Sequence, residues 1–430
     1  MSTRAIREGT APVRALDIDW VRSQFPALRQ MVNGQPAAFL DAPAGTQVPQ
    51  RVIDAMRDYF EGSNANTYGA FATSRRSDAM LAEAHRAAGD LLHCDGQEIF
   101  FGPNMTTLTF GLARAIGREL KAGDEIVVTT LDHDANVAPW RALEEERGIV
   151  VRQADIREAD CTLDMDDLRS KITGRTRVVA AGYASNIIGT INPVAEIVRL
   201  AHEAGAPAFI DAVHYAPHGS IDVKALDCDF LGCSPYKFFG PHMGCIYGKR
   251  ELLLRLQPYK VRPAPNNLPD RWETGTQIHE GLAGVIAAIE YLAELGRRCD
   301  PAAGGSRREA LMAAYAGIRQ HEMPLAERLI RGLVEIPGLT FYGISDPARF
   351  AERVPTVGVR LEGRTPLECA TYLGDRGIFT WDGNYYAVNF TERMGIESSG
   401  GVLRIGLVHY NTAEEVERLL TALREFAAAR

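Results

Sequence analysis

Between residues 38 and 250, short apolar, β-branched runs recur, and each interval between them has the length and periodicity of a helix. The runs read AAFLDAP, EIFFGP, EIVVTT, IVVRQADI, RVVAAGYA, PAFIDAV, FLGCSP and GCIYG. A strand, a covering helix and a second strand close as a right-handed crossover, so repeats of that unit build a mainly parallel sheet with helices on both faces. Helix starts are legible: Pro49 opens QRVIDAMRDYF, Thr106 and Thr107 open LTFGLARAIGREL, and Pro193 precedes VAEIVRLAHEAG, which stops at Gly205. Near residue 281 the rhythm changes to long helix, and the remaining third reads as few strands with two helices. The pattern predicts three parts. An arm at 1–37 packs with the small domain, a large α/β domain with a mainly parallel sheet spans 38–295, and a small α+β domain spans 296–430.

Composition narrows the function. The 430 residues are 46% hydrophobic, 24% charged and 8% aromatic, which is ordinary globular usage and excludes disordered, collagen-like and coiled-coil chains. A net charge of −8 without a Lys/Arg-dense stretch excludes an electrostatic footprint for nucleic acid or anionic lipid, leaving a small-molecule or protein partner. Seven scattered cysteines point to a reducing, cytoplasmic setting. The first residues carry charges where a signal peptide would be apolar, and no apolar run approaches the ~18 residues of a membrane span.

In an open α/β sheet ligands gather outside the carboxyl ends of the strands. Polar residues stand there after five of the runs: Thr106 and Thr107, His133, Asn186, Asp211, and Ser234 with Lys237. An aspartate closing PAFID is costly as a buried anion unless a cation meets it, and a protonated pyridine nitrogen serves. Lys237 precedes Phe-Phe-Gly-Pro, an apolar loop in which desolvation lowers the amine and suits Schiff-base formation. The hydroxyls and free N–H groups of a helix start bind phosphate, Ser234 adds a donor, His133 can stack on a ring, and Asn186 can meet its phenolic oxygen. Together these positions fit pyridoxal 5′-phosphate. Taken singly, each has a plainer reading as a cap or a hydrogen-bonded structural residue.

In this order the chain resembles the class V aminotransferases, fold type I pyridoxal phosphate enzymes, and among them the group II cysteine desulfurases and selenocysteine lyases. The resemblance runs from Phe39 to the last helix. It is carried by FLDAPAG at 39–45, the Thr106–Thr107 pair, DHDANVAPW around His133, SNIIGTINPV around Asn186, Asp211, SPYKFFGP around Lys237, ETGT ending at Thr276, and LRIGLVHYNT around Arg404. The resemblance implies Lys237 as the Schiff-base lysine and base at the substrate α-carbon, Asp211 as partner of the pyridinium, and His133 on the ring face. It implies Thr276 reaching the phosphate of a second subunit, hence a homodimer with shared active sites, and Arg404 on the carboxylate of a small amino-acid substrate.

The departures are chemical. Desulfurases use a cysteine in a small-domain loop shortly before that arginine, and the corresponding stretch, GIFTWDGNYYA, has none. Tyr386 stands where the nucleophile would be and Trp381 where an arginine is common, so Trp381, Tyr385 and Tyr386 are expected to shape an aromatic pocket. His214 replaces a glutamine and is counted among the cofactor-binding residues, as in kynureninase-like and epimerase-like relatives; Tyr236 replaces a histidine and Met105 a glycine. The expected reaction is transamination or C–S, C–Se or β-elimination without the persulfide cysteine, with epimerisation or kynureninase-like hydrolysis as alternatives. Three other readings carry less. Ser234-x-x-Lys237 has the form of a serine acyl-enzyme motif, but Phe-Phe-Gly-Pro does not continue a helix. Cys228, Cys233, His242 and Cys245 lack the paired spacing of a zinc site, so no metal is expected. A catalytically decayed scaffold would have no need for the lysine, aspartate and arginine.

Overall fold

A computed structural model describes residues 14–429. The first thirteen residues of the expected N-terminal arm lie outside the described residues. Seven of the eight apolar runs form one sheet: β1 (Ile99–Gly102), β2 (Glu125–Thr129), β3 (Val150–Ala154), β4 (Thr176–Gly182), β5 (Ala208–Asp211), β6 (Phe230–Cys233) and β7 (Gly244–Gly248), in the order β1-β7-β6-β5-β4-β2-β3. β7 alone runs antiparallel to its neighbours. Most side chains on both faces are buried, which is why these strands read as continuous apolar runs and not as alternating ones. The covering helices include α1 (Gln50–Gly62), α2 (Ala72–Leu92), α3 (Met105–Gly117), α4 (Ala138–Arg147), α5 (Val194–Glu203) and α6 (His279–Cys299).

The eighth run, at Phe39, does not join this sheet. Ala38–Phe39 pairs in parallel with Ile378–Phe379, and Gly406 N–H donates to the Leu40 carbonyl. The strand at Phe39 thus forms a separate two-stranded pair, linked at Leu40 to a small sheet of β8 (Leu339–Tyr342), β9 (Thr356–Leu361), β10 (Trp381–Gly383) and β11 (Val402–Gly406), ordered β8-β9-β11-β10. Between the sheets runs α7 (Arg307–Val334): Ala310, Leu311 and Ile318 pack in the core of the large sheet, whereas Leu325, Leu329 and Leu333 pack in the core of the small one. One helix thus belongs to both cores, and Pro324 lies where it changes partners. Helix α8 (Pro366–Gly374) and α9 (Ala413–Ala428) complete the small layer, and Cys369 packs among their apolar side chains.

The described part of the arm touches both layers. Phe25 meets Phe239 and Tyr291 edge-on and also Tyr410, and Arg22 hydrogen-bonds the Tyr410 carbonyl and Glu415. All seven cysteines are unpaired. Among the described residues no helix is long and apolar enough to cross a membrane, and no cluster of histidine, cysteine and carboxylate side chains is arranged to hold a metal.

Candidate active site

The carboxyl ends of the parallel strands open into a small cavity of about 80 Å³, lined by Thr106, His133, Asn186, Asp211, His214, Ser234, Tyr236 and Lys237 among others. Residues as far apart in sequence as Thr106 and Lys237 meet there because each follows a strand of the same sheet. Thr107 and Thr276 stand apart from them, together in a neighbouring cleft with Trp272 and Tyr259. Neither Arg404 nor Tyr386 lines the cavity; both border it through the Asn186 and His133 loops.

Lys237 ends a short helical turn, Pro235–Lys237, followed by Phe238 and Phe239, both buried. Phe239 holds a left-handed backbone (φ 71°), wedged edge-on against His409 with ring centres 4.6 Å apart. Among the described residues the lysine has only a neutral acceptor, the Pro43 carbonyl. Burial brings its amine down from 10.5 to about 7; Arg404 pushes the same way and Asp211 opposes. Asp211, the last residue of β5, is pushed up to about 6 by burial, against the Val213 N–H (2.9 Å) and Lys237. The two form no salt bridge, although each shifts the other's proton affinity, and both face the cavity.

The His133 loop is built by a residue that sequence reasoning missed. Asp132, 1% exposed, accepts from the Thr129 N–H and hydroxyl and from Asn136, tying the end of β2 to the turn after it. Gly182 permits this, since a Cβ there would sit 2.9 Å from the carboxyl of Asp132. His133 Nδ1 accepts from the Ala135 N–H at 3.0 Å, which leaves the ring proton on Nε2. Burial, then Lys237 and Arg404, lower this histidine to about 4, so the ring is neutral. His214 lies well below its ordinary value for the same first reason, with His218 as the next contributor.

The anion end of the cavity is the start of α3. Asn104 caps it, its side chain accepting the Thr107 N–H at 2.8 Å, while the Met105 and Thr106 N–H groups precede the helix's own hydrogen bonds. This start rests directly on β7, because a Cβ on Gly244 would fall 2.3 Å from a backbone carbon of Asn104. Met105, in place of a glycine, fits over the bare Gly232 backbone. The only hint of Asn104 and Gly244 in the sequence is residue type: a cap before a helix and a glycine opening a strand.

On the small-domain side, Arg404 of β11 is 4% exposed. Its guanidinium donates to the Asn186 carbonyl (2.8 Å) and lies over the Tyr385 ring at 3.8 Å. Burial lowers it to about 10, with Tyr385, Tyr236 and Asp41 opposing. Among the described residues no carboxylate pairs with it, and Trp381 stands opposite it in the β10–β11 register. Tyr385 and Tyr386 both hold left-handed backbones, φ 55° and 59°. The turn is held by the Asn186 side-chain amide on the Tyr385 carbonyl and by the Asp134 N–H on the Tyr386 carbonyl. The Tyr386 ring, 69% exposed, lies 5.3 Å from that of His133 at the rim. None of the seven cysteines lines the cavity.

The chemistry of the donor set fits pyridoxal 5′-phosphate. A helix start with free hydroxyls suits the phosphate, an unpaired buried aspartate suits the ring nitrogen, and a lowered lysine suits the aldehyde. The Asn186 side-chain oxygen is buried without a partner among the described residues, as an acceptor for the ring hydroxyl would be before the ring binds.

A parallel sheet with this constellation at its strand ends defines a fold type I pyridoxal phosphate enzyme. The chain belongs to the class V aminotransferase family, whose description, Aminotransferase class-V, matches residues 38–314 and 311–419, and it is a pyridoxal-phosphate-dependent enzyme. It is 32% identical over 428 residues to a cysteine desulfurase of Dickeya dadantii, covering 96% of this chain and 97% of the relative. It is equally, 32%, identical over 421 residues to an aminotransferase-like protein, FGM3, of Gibberella zeae, covering 95% and 98%. Among solved structures it is similar to a cysteine desulfurase of Thermococcus onnurineus, with a TM-score of 0.85 and 25% identity over 98% of this chain and all of the other.

Proposed function

We propose that this enzyme acts at the α-carbon of a small amino acid, by transamination or by C–S, C–Se or β-elimination, and that no cysteine persulfide takes part. The observation that carries this reading is the cavity wall itself: a lowered lysine, a neutral histidine and a buried aspartate, with no thiol among the lining residues. The stretch in which a desulfurase nucleophile is expected is folded as the Tyr385–Tyr386 turn, tied to the large domain through Asn186 and Asp134 and to β11 through the Tyr385 hydroxyl on the Val402 carbonyl. Comparable identity to a desulfurase and to an aminotransferase-like protein agrees with a shared first step and does not favour one outcome.

Each residue has a task that its environment supports. Arg404 binds the substrate carboxylate, for which a buried guanidinium without a carboxylate partner is suited. Lys237 takes the α-proton, because an amine near 7 is half deprotonated at neutral pH and still basic enough to accept it. Bound pyridoxal phosphate supplies the electron sink for the pair left at the α-carbon. Asp211 holds a proton at the ring nitrogen; Thr106 and Ser234 hold the phosphate from the cavity wall, with Thr276, in the neighbouring cleft beside Thr107, serving the second subunit of a homodimer. His133 covers the ring, Asn186 and His214 meet its edge, and Tyr386 narrows the entrance. Epimerisation and kynureninase-like hydrolysis begin with the same proton transfer and are outcomes of the same test.

The test is an absorbance titration of the holoenzyme with cysteine, cysteine sulfinate, selenocysteine, alanine, glutamate and kynurenine, before and after alkylation of its thiols. Keto acid, ammonia and sulfide are assayed in parallel. Turnover that survives alkylation supports the proposal; turnover of cysteine alone that alkylation abolishes refutes it.

A further inference from the structure

We propose that Glu322 and His218 are positioning residues that hold the His214 ring in the cavity wall against the cofactor; the proposal rests on the cofactor placement described above. Glu322 lies in the middle of α7 and is 1% exposed. One carboxyl oxygen accepts from His218 Nδ1 at 2.8 Å, and the other is buried without a partner among the described residues. A leucine there would extend the apolar core at no desolvation cost, so a half-satisfied carboxyl needs a reason beyond packing.

The reason is visible in what it touches. His218, 5% exposed, presents its ring to that of His214 at 70° with centres 5.8 Å apart. The two are four residues apart in the turn that follows Asp211, so both rings project from one side of it. His214 is then held by two contacts: Nε2 shares a hydrogen bond with the Thr356 hydroxyl of β9 at 3.0 Å, and the His218 ring packs edge-on against its ring. Nδ1 of His214 makes no hydrogen bond among the described residues and is the nitrogen left for a ligand. The backbone of the turn has its own anchor, Tyr315 of α7 donating to the Ala216 carbonyl at 2.7 Å. Glu322 is therefore superfluous for the backbone and acts on the imidazoles: it keeps the His218 proton on Nδ1 and sets the plane of that ring.

The experiment measures pyridoxal phosphate affinity and the position of the visible absorption band in reconstituted wild type, Glu322→Leu, Glu322→Gln, His214→Ala and the Glu322→Leu/His214→Ala double variant. The expected result is that Glu322→Leu weakens cofactor binding by about fivefold and displaces the band in the direction His214→Ala does, and adds nothing once His214 is gone. Glu322→Gln, whose amide oxygen still accepts from Nδ1, stays within about twofold of wild type. If Glu322→Leu does not fold, Glu322→Leu/His218→Leu removes both buried partners together and carries the same expectation. Equal losses with and without His214, or a lower melting temperature with affinity and band unchanged, would overturn the proposal. A wild type that forms no band with pyridoxal phosphate would overturn the functional reading and this inference together, whereas a normal wild-type band with unmoved variants would overturn this inference alone.

Discussion

Replacing Lys237 with methionine should make the cofactor-free protein more stable at pH 8, although it deletes a hydrogen bond. The folded chain holds this amine near 7, against 10.5 in the unfolded chain. A folded value that lies below the unfolded one gives stability that is complete above pH 10.5 and is lost as pH falls through about 7. At pH 8 the unfolded chain is protonated and the folded one largely is not, a difference of about 3 kcal/mol against folding. Methionine removes that cost and forfeits the bond to the Pro43 carbonyl, worth about 1 kcal/mol. The net gain is about 2 kcal/mol, or about 2 °C in a chain this long. Near pH 10 the proton cost falls below about 1 kcal/mol, so the advantage vanishes or reverses. Thermal melts of the two apo-proteins by circular dichroism at pH 6, 8 and 10 measure this directly. A variant that melts lower than wild type at pH 8, or a difference independent of pH, would refute the reasoning that Lys237 is held desolvated and uncompensated.

Three further outcomes follow from named contacts. Arg404→Lys keeps the charge but not the planar fork, so KM for the amino acid should rise by roughly tenfold or more with a smaller change in kcat, read from steady-state kinetics. Gly244→Ala drives a Cβ into backbone atoms of Asn104 and Met105, and should cost about 1–3 kcal/mol in denaturant melts while weakening pyridoxal phosphate binding through the displaced helix start. His133, lowered to about 4 in the fold from 6.5, gives stability present above pH 6.5 and lost as pH falls through about 4. His133→Phe should therefore flatten that acid limb by about 3 kcal/mol in apo-protein melts.

The large sheet was legible because its strands are buried on both faces and its helices are amphipathic, so periodicity separates them without tertiary knowledge. Thr106, His133, Asn186, Asp211, Ser234 and Lys237 could be singled out for a topological reason: each follows a strand of one sheet, and strand ends converge. Contacts that cross between layers were not legible. Thr356 meets His214 across 142 positions and the Pro43 carbonyl meets Lys237 across 194, and no local pattern encodes such partners. The run at Phe39 reads as a strand of the large sheet but pairs with Ile378–Phe379 for the same reason, since two residues of strand look alike whichever edge they join. Asn104 and Gly244 read as a cap and a strand glycine, and only the crossing of α3 over β7 shows why those residue types are needed.

The central claim is that Lys237 moves the α-proton of an amino acid bound through Arg404. Proton NMR of the holoenzyme with each candidate amino acid in deuterium oxide, wild type beside Lys237→Ala, tests it most directly. The expected result is loss of the α-proton signal of at least one amino acid, by exchange or consumption, with wild type and not with the variant. Exchange that persists undiminished in Lys237→Ala, or no exchange and no consumption of any amino acid by a wild type that binds pyridoxal phosphate, would contradict it.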